Sequence, residues 1–363
     1  MCPSTTTPST TCYRPVSLLV PRGSLLTPAK NNNNMKKKKE SRNEKKASSS
    51  GFLGDALYLS SCAAMTVITM QYDLADLVPG LRELEGKFEL RKGVSDEWML
   101  SLWPFFLAAS ILYTLLITVG VWYMEELPEN NNLTRLAGKL LPVWSLIAWI
   151  FSYFALVRLG SAVLHHLSTN NGIYNTSLKY CVSISDVISK DGTRGRLAWV
   201  EFFCYSKPME FIDTIFIVLC KKPVSRLHWI HHQLTMWYSW LCLVLFASPG
   251  IIFATVNAFV HTIMYCWYFF AAMKLKPSST AIVVTSLQNI QMLAGVIVPL
   301  YFFSIRDKCS IKDIYWFLTA AMYSLYVYLF GTLFVDKYII KKACGKKDNK
   351  KITATDTPRS LKC

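Results

Sequence analysis

Three imidazoles on one helical turn are the first residues in this chain able to carry chemistry. The stretch LHWIHHQ sets His228, His231 and His232 at i, i+3 and i+4, which is one face of a helix. They are half of the six histidines in 363 residues. A lone His on an apolar helix is usually a satisfied packing residue, but three on one turn are too concentrated for that. Upstream, AWVEFFCYSKPMEFIDTIFIVL spaces Lys207, Glu210 and Asp213 three apart along a slowly rotating stripe. A charged side chain at membrane depth costs about 2.5–3.5 kcal/mol on insertion scales unless it is paired or faces a cavity. That cost favours function over an ion-pair cluster that merely pins helices together. Downstream, NAFVHTIMYCWYF repeats Asn257, His261, Tyr265 and Tyr268 along one stripe, and TSLQNIQ places Thr285, Gln288 and Gln291 at threes. Gln291 is best read as interhelical hydrogen-bond glue, and Tyr265 and Tyr268 mostly as wall.

The spacing HxxHH first suggests a di-iron membrane oxygenase. Histidine-only di-iron coordination needs more His than this chain contains, and the remaining pair, His165 and His166, lies at the far end of another helix. A single zinc on three of His228, His231, His232 and His261 fits by ligand type. Adjacent residues on one turn seldom converge with a fourth ligand, however, so no metal is expected. The imidazole is then a nucleophile or a base. A neutral imidazole attacks an activated acyl group, or takes and returns a proton, near neutral pH. Asn257, Gln288 or the Lys207 ammonium would orient it or stabilise a developing oxyanion or enolate. A site sealed among apolar helices suits a substrate with a long hydrocarbon tail and keeps water from a reactive intermediate.

The elements that must hold these residues are membrane helices. The chain is 52% hydrophobic and only 17% charged, with a mean hydropathy of +0.28; a soluble domain would be more polar. Of the net charge of +16, residues 1–50 supply +8 and residues 337–363 supply +7, which leaves a nearly neutral apolar body. Nucleic acid is excluded as a partner, because a groove-reading domain carries its charge on the folded part. Basic tails beside membrane helices suit a lipid bilayer surface instead. Seven segments approach the ~20 residues that cross a hydrocarbon core: Trp98–Met124, Leu141–Leu164, Ala198–Leu219, Gln233–Ala247, Ile251–Met273, Thr280–Phe303 and Ile314–Ile340. The expected fold is thus an all-α integral membrane protein of seven transmembrane helices. Trp98, Trp103, Trp122, Tyr123, Trp144 and Trp199 lie near segment ends, where an aromatic belt is expected.

Three regions follow: a largely disordered extension at 1–81 with one weak apolar segment (52–70), a membrane domain at 82–340, and a basic tail at 341–363. Leu19–Ser24 (LVPRGS) resembles a protease-cleavage linker and is set aside. Eleven Cys without a CxxC pair give no zinc or disulfide framework. Basic residues divide evenly between the two sets of loops, and the C-terminal tail tips the orientation towards a cytosolic C-terminus. That orientation puts the sequon at Asn175, not the one at Asn132, on the far side as the glycosylation candidate. Cys181 and Cys309 share that side and could pair there if it is oxidising.

Taken together, KPMEFIDT, LHWIHH, NAFVHTIMY and TSLQNIQ, in this order and across seven spans, resemble the ELO family of fatty-acid elongases from about Arg82 to Ile340. The resemblance implies an endoplasmic reticulum membrane enzyme with an acyl-chain tunnel. It would join a long-chain acyl-CoA to malonyl-CoA and yield 3-oxoacyl-CoA, CO2 and CoA. No bound cofactor is implied. The reductases and dehydratase of the elongation cycle are implied as partners, and a homo-oligomer is left open. The box HWIHH, with Trp229 in second place, is similar to the branch acting on saturated and monounsaturated chains, as are VRLG and SLQNIQM, which points to chains around C16. His231 is then the acyl-accepting nucleophile and His261 the second imidazole. His228 and His232 orient the box, Glu210 and Asp213 set protonation and position, and Lys207 with Asn257 and Gln288 polarises the thioester. Lys221, Lys222, Arg226, Lys274 and Lys276 lie where CoA phosphates would arrive, although positive-inside topology explains each equally well. The N-terminal extension and a C-terminus RSLKC without a dilysine signal depart from the family pattern and bear on targeting. The competing class is a lipid-binding protein or transporter. A transporter would show internal repeats, which are not seen, and a binder needs fewer titratable groups at one depth.

Overall fold

The computed structural model describes residues 54–62, 64–65, 78–88, 100–129, 131–182, 187, 199–245, 247–275 and 280–340, and every regular element among them is helical. Trp98, Lys276, the loop cations Lys190, Arg194 and Arg196, residues 1–53 and the tail at 341–363 lie outside the described residues.

Among the described residues, ten helices from Leu81 onward hold the site. They are α1 (Leu81–Phe88), α2 (Trp103–Glu126), α3 (Asn132–Thr169), α4 (Ile173–Lys179), α5 (Trp199–Met209), α6 (Phe211–Leu219), α7 (Arg226–Val244), α8 (Gly250–Ala272), α9 (Ala281–Ser304) and α10 (Asp313–Phe334). Helix α2 includes a π-helical turn at Leu116–Gly120, and α10 runs on as a π-helix over Val335–Ile340. Five of them, α2, α3, α8, α9 and α10, are long and apolar enough to cross a membrane. The chain is therefore an all-α protein with the long apolar helices of a multi-pass membrane protein.

Two of the seven expected segments differ from that pattern. The one expected at Ala198–Leu219 is two short helices, α5 and α6, with Glu210 as a non-helical turn between them. Pro208 lies two residues before that turn; it lacks an N–H and crowds the carbonyl four residues back, which ends a helix locally. The one expected at Gln233–Ala247 begins at Arg226, so the His box occupies the first two turns of α7. With 11 and 9 residues, α5 and α6 are each too short to cross a membrane singly, and the imidazoles and other polar residues of α7 keep it below the apolarity of the other five. Boundaries shift elsewhere too. Leu141–Leu164 lies within the 38-residue α3, whose length of about 57 Å at 1.5 Å per residue far exceeds a ~30 Å hydrocarbon core.

Helices α3 and α8 form the most extensive helix pair, α9 and α10 the next. Burial separates inner from outer helices: 56% of the most apolar stretch of α8 is buried, against 11% for α2. Residues before the expected start of the membrane domain also pack on this body. Tyr58 donates to the Ile263 carbonyl at 3.3 Å, and the Tyr153 hydroxyl reaches the Met65 carbonyl at 3.0 Å. Glu85 of α1 binds Arg158 of α3 bidentately at 2.7 and 2.5 Å and accepts the Trp199 indole N–H at 2.8 Å.

The ends of the bundle are tied differently. At one, Cys181 and Cys309 are joined by a disulfide, and the Ser310 amide donates to the Cys181 carbonyl at 2.8 Å. Asn175 is exposed on α4 nearby, but Ser177 of the same sequon is buried and donates to the Ile173 carbonyl at 2.8 Å. Glycosylation there would have to precede formation of α4. At the other end, the Ser225 side chain caps α7 by accepting from the His228 amide at 3.2 Å, which fixes the first turn of the His box.

Two of the belt residues have other work. Trp103, Trp122 and Tyr123 are exposed as an interfacial belt requires, but Trp199 is buried on Glu85 and Trp144 points inward to Asp213.

Candidate active site

Helices α6 to α9 turn polar residues towards one another around a cavity of about 610 Å³. Its walls include Asp213 from α6, His228, His231 and His232 from α7, Asn257, His261, Tyr265 and Tyr268 from α8, and Gln288 and Gln291 from α9. The exposed Lys222 and Ser225 line its outer end.

Hydrogen bonds fix several polar side chains in and behind this wall. Lys207 is 2% exposed; its ammonium donates to Glu210 Oε1 at 2.6 Å and Asn257 Oδ1 at 3.1 Å, and it sits 3.9 Å above the Phe203 ring. Glu210 Oε1 is in turn 3.6 Å from His261 Nδ1. The carboxylate thus joins the ammonium to the α8 imidazole, and the break between α5 and α6 is what lets it do so. Asp213 has a donor on each oxygen, with Trp144 Nε1 on Oδ1 and the Tyr265 hydroxyl on Oδ2, both at 2.6 Å. Lys207 and Glu210 stand behind the wall and act on it through Asn257 and His261, whereas Asp213 reaches the cavity directly.

The three box imidazoles are placed unequally. His228 Nε2 shares a 2.8 Å hydrogen bond with the Thr214 hydroxyl, which lies 3.0 Å from the Tyr113 hydroxyl on α2. The His232 ring is 4.3 Å from that of His228 and 6.4 Å from each of the Phe211 and Tyr113 rings. The His231 ring has no hydrogen-bond partner among the described residues. It packs against Tyr326 and Phe330 at 5.0 and 5.6 Å, and its carbonyl accepts from the Tyr326 hydroxyl at 3.3 Å. His231 also lines a second, narrower cavity, of about 40 Å³, that continues between α7, α8 and α10 past Thr235, Tyr238, Phe253 and Tyr323 to Leu243, Ala247 and Gly250. His231, Asn257, Gln291 and Met292 are the lining residues common to both cavities. A polar chamber and an apolar slot therefore meet at the His231 imidazole.

Several expected binding residues are placed elsewhere. Trp229 is 37% exposed and lines neither cavity: one residue beyond His228, it is turned about 100° around a helix of 3.6 residues per turn. Of the basic residues expected at the mouth, Lys222 lines the chamber, but Lys221, Arg226 and Lys274 do not. Lys221 and Lys274 have left-handed φ values of 53° and 64° at the ends of α6 and α8. Each sits in a Schellman closure, in which the next amide reaches back to the Ile217 or Phe270 carbonyl at 2.9 Å. Their backbones end helices, and the Lys221 ammonium is held on the Leu127 carbonyl. Gln288 meets the Met264 sulfur at 3.2 Å.

Sequence reasoning missed Thr214, Tyr113, Tyr326 and the inward role of Trp144. Thr214 alone left a signal, since it lies four residues after Glu210 on the same helical face. Among the described residues no group of three or more His, Cys, Asp or Glu side chains is arranged to hold a metal ion.

The family model described as GNS1/SUR4 matches residues 98–347. The chain is similar to very long chain fatty acid elongase 6 of Mus musculus, 31% identical over 272 residues covering 72% of this chain and 96% of the relative. It is also similar to very long chain fatty acid elongase 6 of Drosophila melanogaster, 30% identical over 249 residues covering 67% and 75%. Fatty acid elongase 3 of Trypanosoma cruzi is 30% identical over 276 residues, covering 67% and 89%. With the family match spanning most of the chain and the histidine-lined chamber within it, this protein belongs to the GNS1/SUR4, or ELO, family of fatty-acid elongases.

Proposed function

We propose that the protein is a very-long-chain 3-oxoacyl-CoA synthase that extends saturated or monounsaturated acyl-CoA of around C16 by two carbons from malonyl-CoA. The observation that carries this reading is the position of His231, where the polar chamber meets the apolar slot. The tail points from His231 into the slot, which widens to admit it, and the chamber takes the thioester end and then malonyl-CoA. In this reading all seven segments, α5–α6 and α7 included, span the bilayer of the endoplasmic reticulum around that tunnel, with the C-terminus cytosolic.

The chemistry proceeds in two steps. A ring nitrogen of His231 attacks the acyl-CoA carbonyl; the C–S bond breaks, the imidazole N–H proton passes to the CoA thiolate, and an acyl-imidazole remains. Malonyl-CoA then loses CO2 to give a thioester enolate. Its carbon attacks the acyl carbonyl, the C–N bond breaks, and the departing imidazolate takes a proton from water, which restores His231 and leaves 3-oxoacyl-CoA as product. The Lys207 ammonium, acting through Asn257, and the His261 imidazole, held by Glu210, stabilise charge on the oxygens. His228, set by Thr214, and the packed His232 keep the box in register. Lys222 meets CoA phosphate at the chamber's outer end. The β-keto product is the substrate of a reductase, which places reductases and a dehydratase after this enzyme.

Two assays test the assignment. Full-length enzyme given palmitoyl-CoA and malonyl-CoA should form a 3-oxoacyl-CoA two carbons longer, with one CO2 released for each. Expression in yeast should raise fatty acids two carbons longer than the accepted chains. A purified, folded protein that binds acyl-CoA yet releases neither CO2 nor CoA would instead be a lipid-binding protein.

A further inference from the structure

One ring in the wall of the apolar slot lies where a side chain is missing from the neighbouring helix. Gly295 is buried in the middle of α9, with the ring of Tyr323 from α10 lying directly over it. A Cβ at 295 would fall 2.0 Å from Tyr323 Cδ1 and 2.4 Å from both Cε1 and Cγ. The contact includes the root of the ring as well as its far edge, so a rotation of the tip alone does not relieve it. The ring is held from its other sides by aromatic neighbours. Phe253 stacks on it at 5.3 Å, Tyr326 meets it edge-on at 5.9 Å, and Tyr238 does so at 6.3 Å. These four rings all line the slot, and Tyr326 is also the ring packed on His231.

We infer that Gly295 and Tyr323 form a girth gauge for the acyl chain: the glycine lets the ring lie back into α9 and so sets the cross-section of the slot just below His231. The inference rests on the elongase reading and adds a specificity determinant to it. Any Cβ at 295 drives the ring away from α9 and into the slot, because a packed core does not absorb an overlap of this size in place. A straight saturated chain has the smallest cross-section and tolerates narrowing best. A cis-unsaturated chain carries a bend and tolerates it least. The gauge thus acts on chain width along the path.

The test is kcat/KM of full-length enzyme for palmitoyl-CoA and for palmitoleoyl-CoA, with thermal stability recorded for every variant. In Gly295→Ala the preference for the saturated chain should rise about tenfold, the scale on which a hydrophobic pocket discriminates small differences in shape. In Tyr323→Leu the preference should fall below that of the wild type. In the double variant Gly295→Ala/Tyr323→Leu, where no ring is left to collide, it should match Tyr323→Leu. A folded Gly295→Ala with wild-type preference overturns the gauge, as does a double variant that keeps the Gly295→Ala preference. If Gly295→Ala does not fold, Tyr323→Leu decides, and an unchanged preference there overturns the proposal. Failure of the wild type to elongate either substrate is a different result, and it removes the elongase reading itself.

Discussion

Among the described residues, buried charges are paired at Arg158–Glu85 and at Lys207–Glu210, and the second pair leads to the histidine-lined chamber. In the first, Arg158 and Glu85 meet through both carboxylate oxygens at 3% and 1% exposure, and Trp199 adds a third donor. None of these three residues lines either cavity. In the second, Lys207 and Glu210 form one 2.6 Å contact and pass their remaining capacity on, the ammonium to Asn257 and the carboxylate to His261. Those two recipients line the chamber beside His231. Burial of charge is therefore not in itself the mark of a site. What distinguishes the second cluster is that its ends reach groups facing a substrate-sized space. The first cluster fastens α1 to α3 and α5, and the second sets the polarity of a reaction chamber.

The comparison breaks or holds most clearly when both charges of each pair are removed together, since replacing a buried pair with neutral groups of similar volume is often neutral for stability. Lys207→Met/Glu210→Gln should keep its fold and lose about 100-fold or more in kcat, the scale of removing a preorganised charge stabiliser. Glu85→Gln/Arg158→Met should fold and elongate at near the wild-type rate. Equal loss in both, measured as turnover per folded molecule, would erase the distinction. The single variant Arg158→Ala is expected to cost about 3–5 kcal/mol by leaving Glu85 charged and unpaired. It should show as a large drop in melting temperature with turnover of the surviving folded fraction retained.

Smaller effects sharpen the second cluster. Thr214→Val keeps shape but takes the partner from His228 Nε2, and the loss of about 1 kcal/mol per hydrogen bond predicts a several-fold lower kcat with KM unchanged. Thr214→Ser should restore it, which a packing role would not require. Smallest is Trp144→Phe, which takes one donor from Asp213 and leaves it the Tyr265 hydroxyl. A two- to three-fold decrease in kcat, about 0.5 kcal/mol, is expected at the low end of hydrogen-bond contributions, read by steady-state kinetics on both substrates.

How much of this was legible beforehand follows from what each residue type costs in an apolar setting. The His box, Lys207, Glu210, Asp213, Asn257 and His261 stand out because imidazole, charge and amide are expensive in lipid, and their spacing gave the shared faces. Thr214 and Tyr113 are cheap in a membrane helix, so nothing in composition separates them from ordinary wall. Trp144 was indistinguishable from a belt residue, since an indole near a segment end serves either purpose until its N–H partner is known. Arg158 sat in plain view within VRLG, yet its partner Glu85 is 73 positions away on a helix outside the apolar pattern. Helix periodicity reports neighbours within one element, and pairings between distant elements lie beyond it. The turn at Glu210 was hidden for a related reason: the apolar run continues through it, while Pro208 breaks the backbone that the run seems to promise.

The central claim is that His231, placed where chamber and slot meet, takes the acyl group. Mixing full-length enzyme with palmitoyl-CoA alone, without malonyl-CoA, tests it most directly. The account predicts one CoA released per active site, together with a palmitoyl adduct that maps to His231 and is discharged on adding malonyl-CoA; both should vanish in His231→Ala. An adduct on another residue, or acyl loading that persists in His231→Ala, would contradict it and favour condensation in a ternary complex with the imidazoles acting as bases.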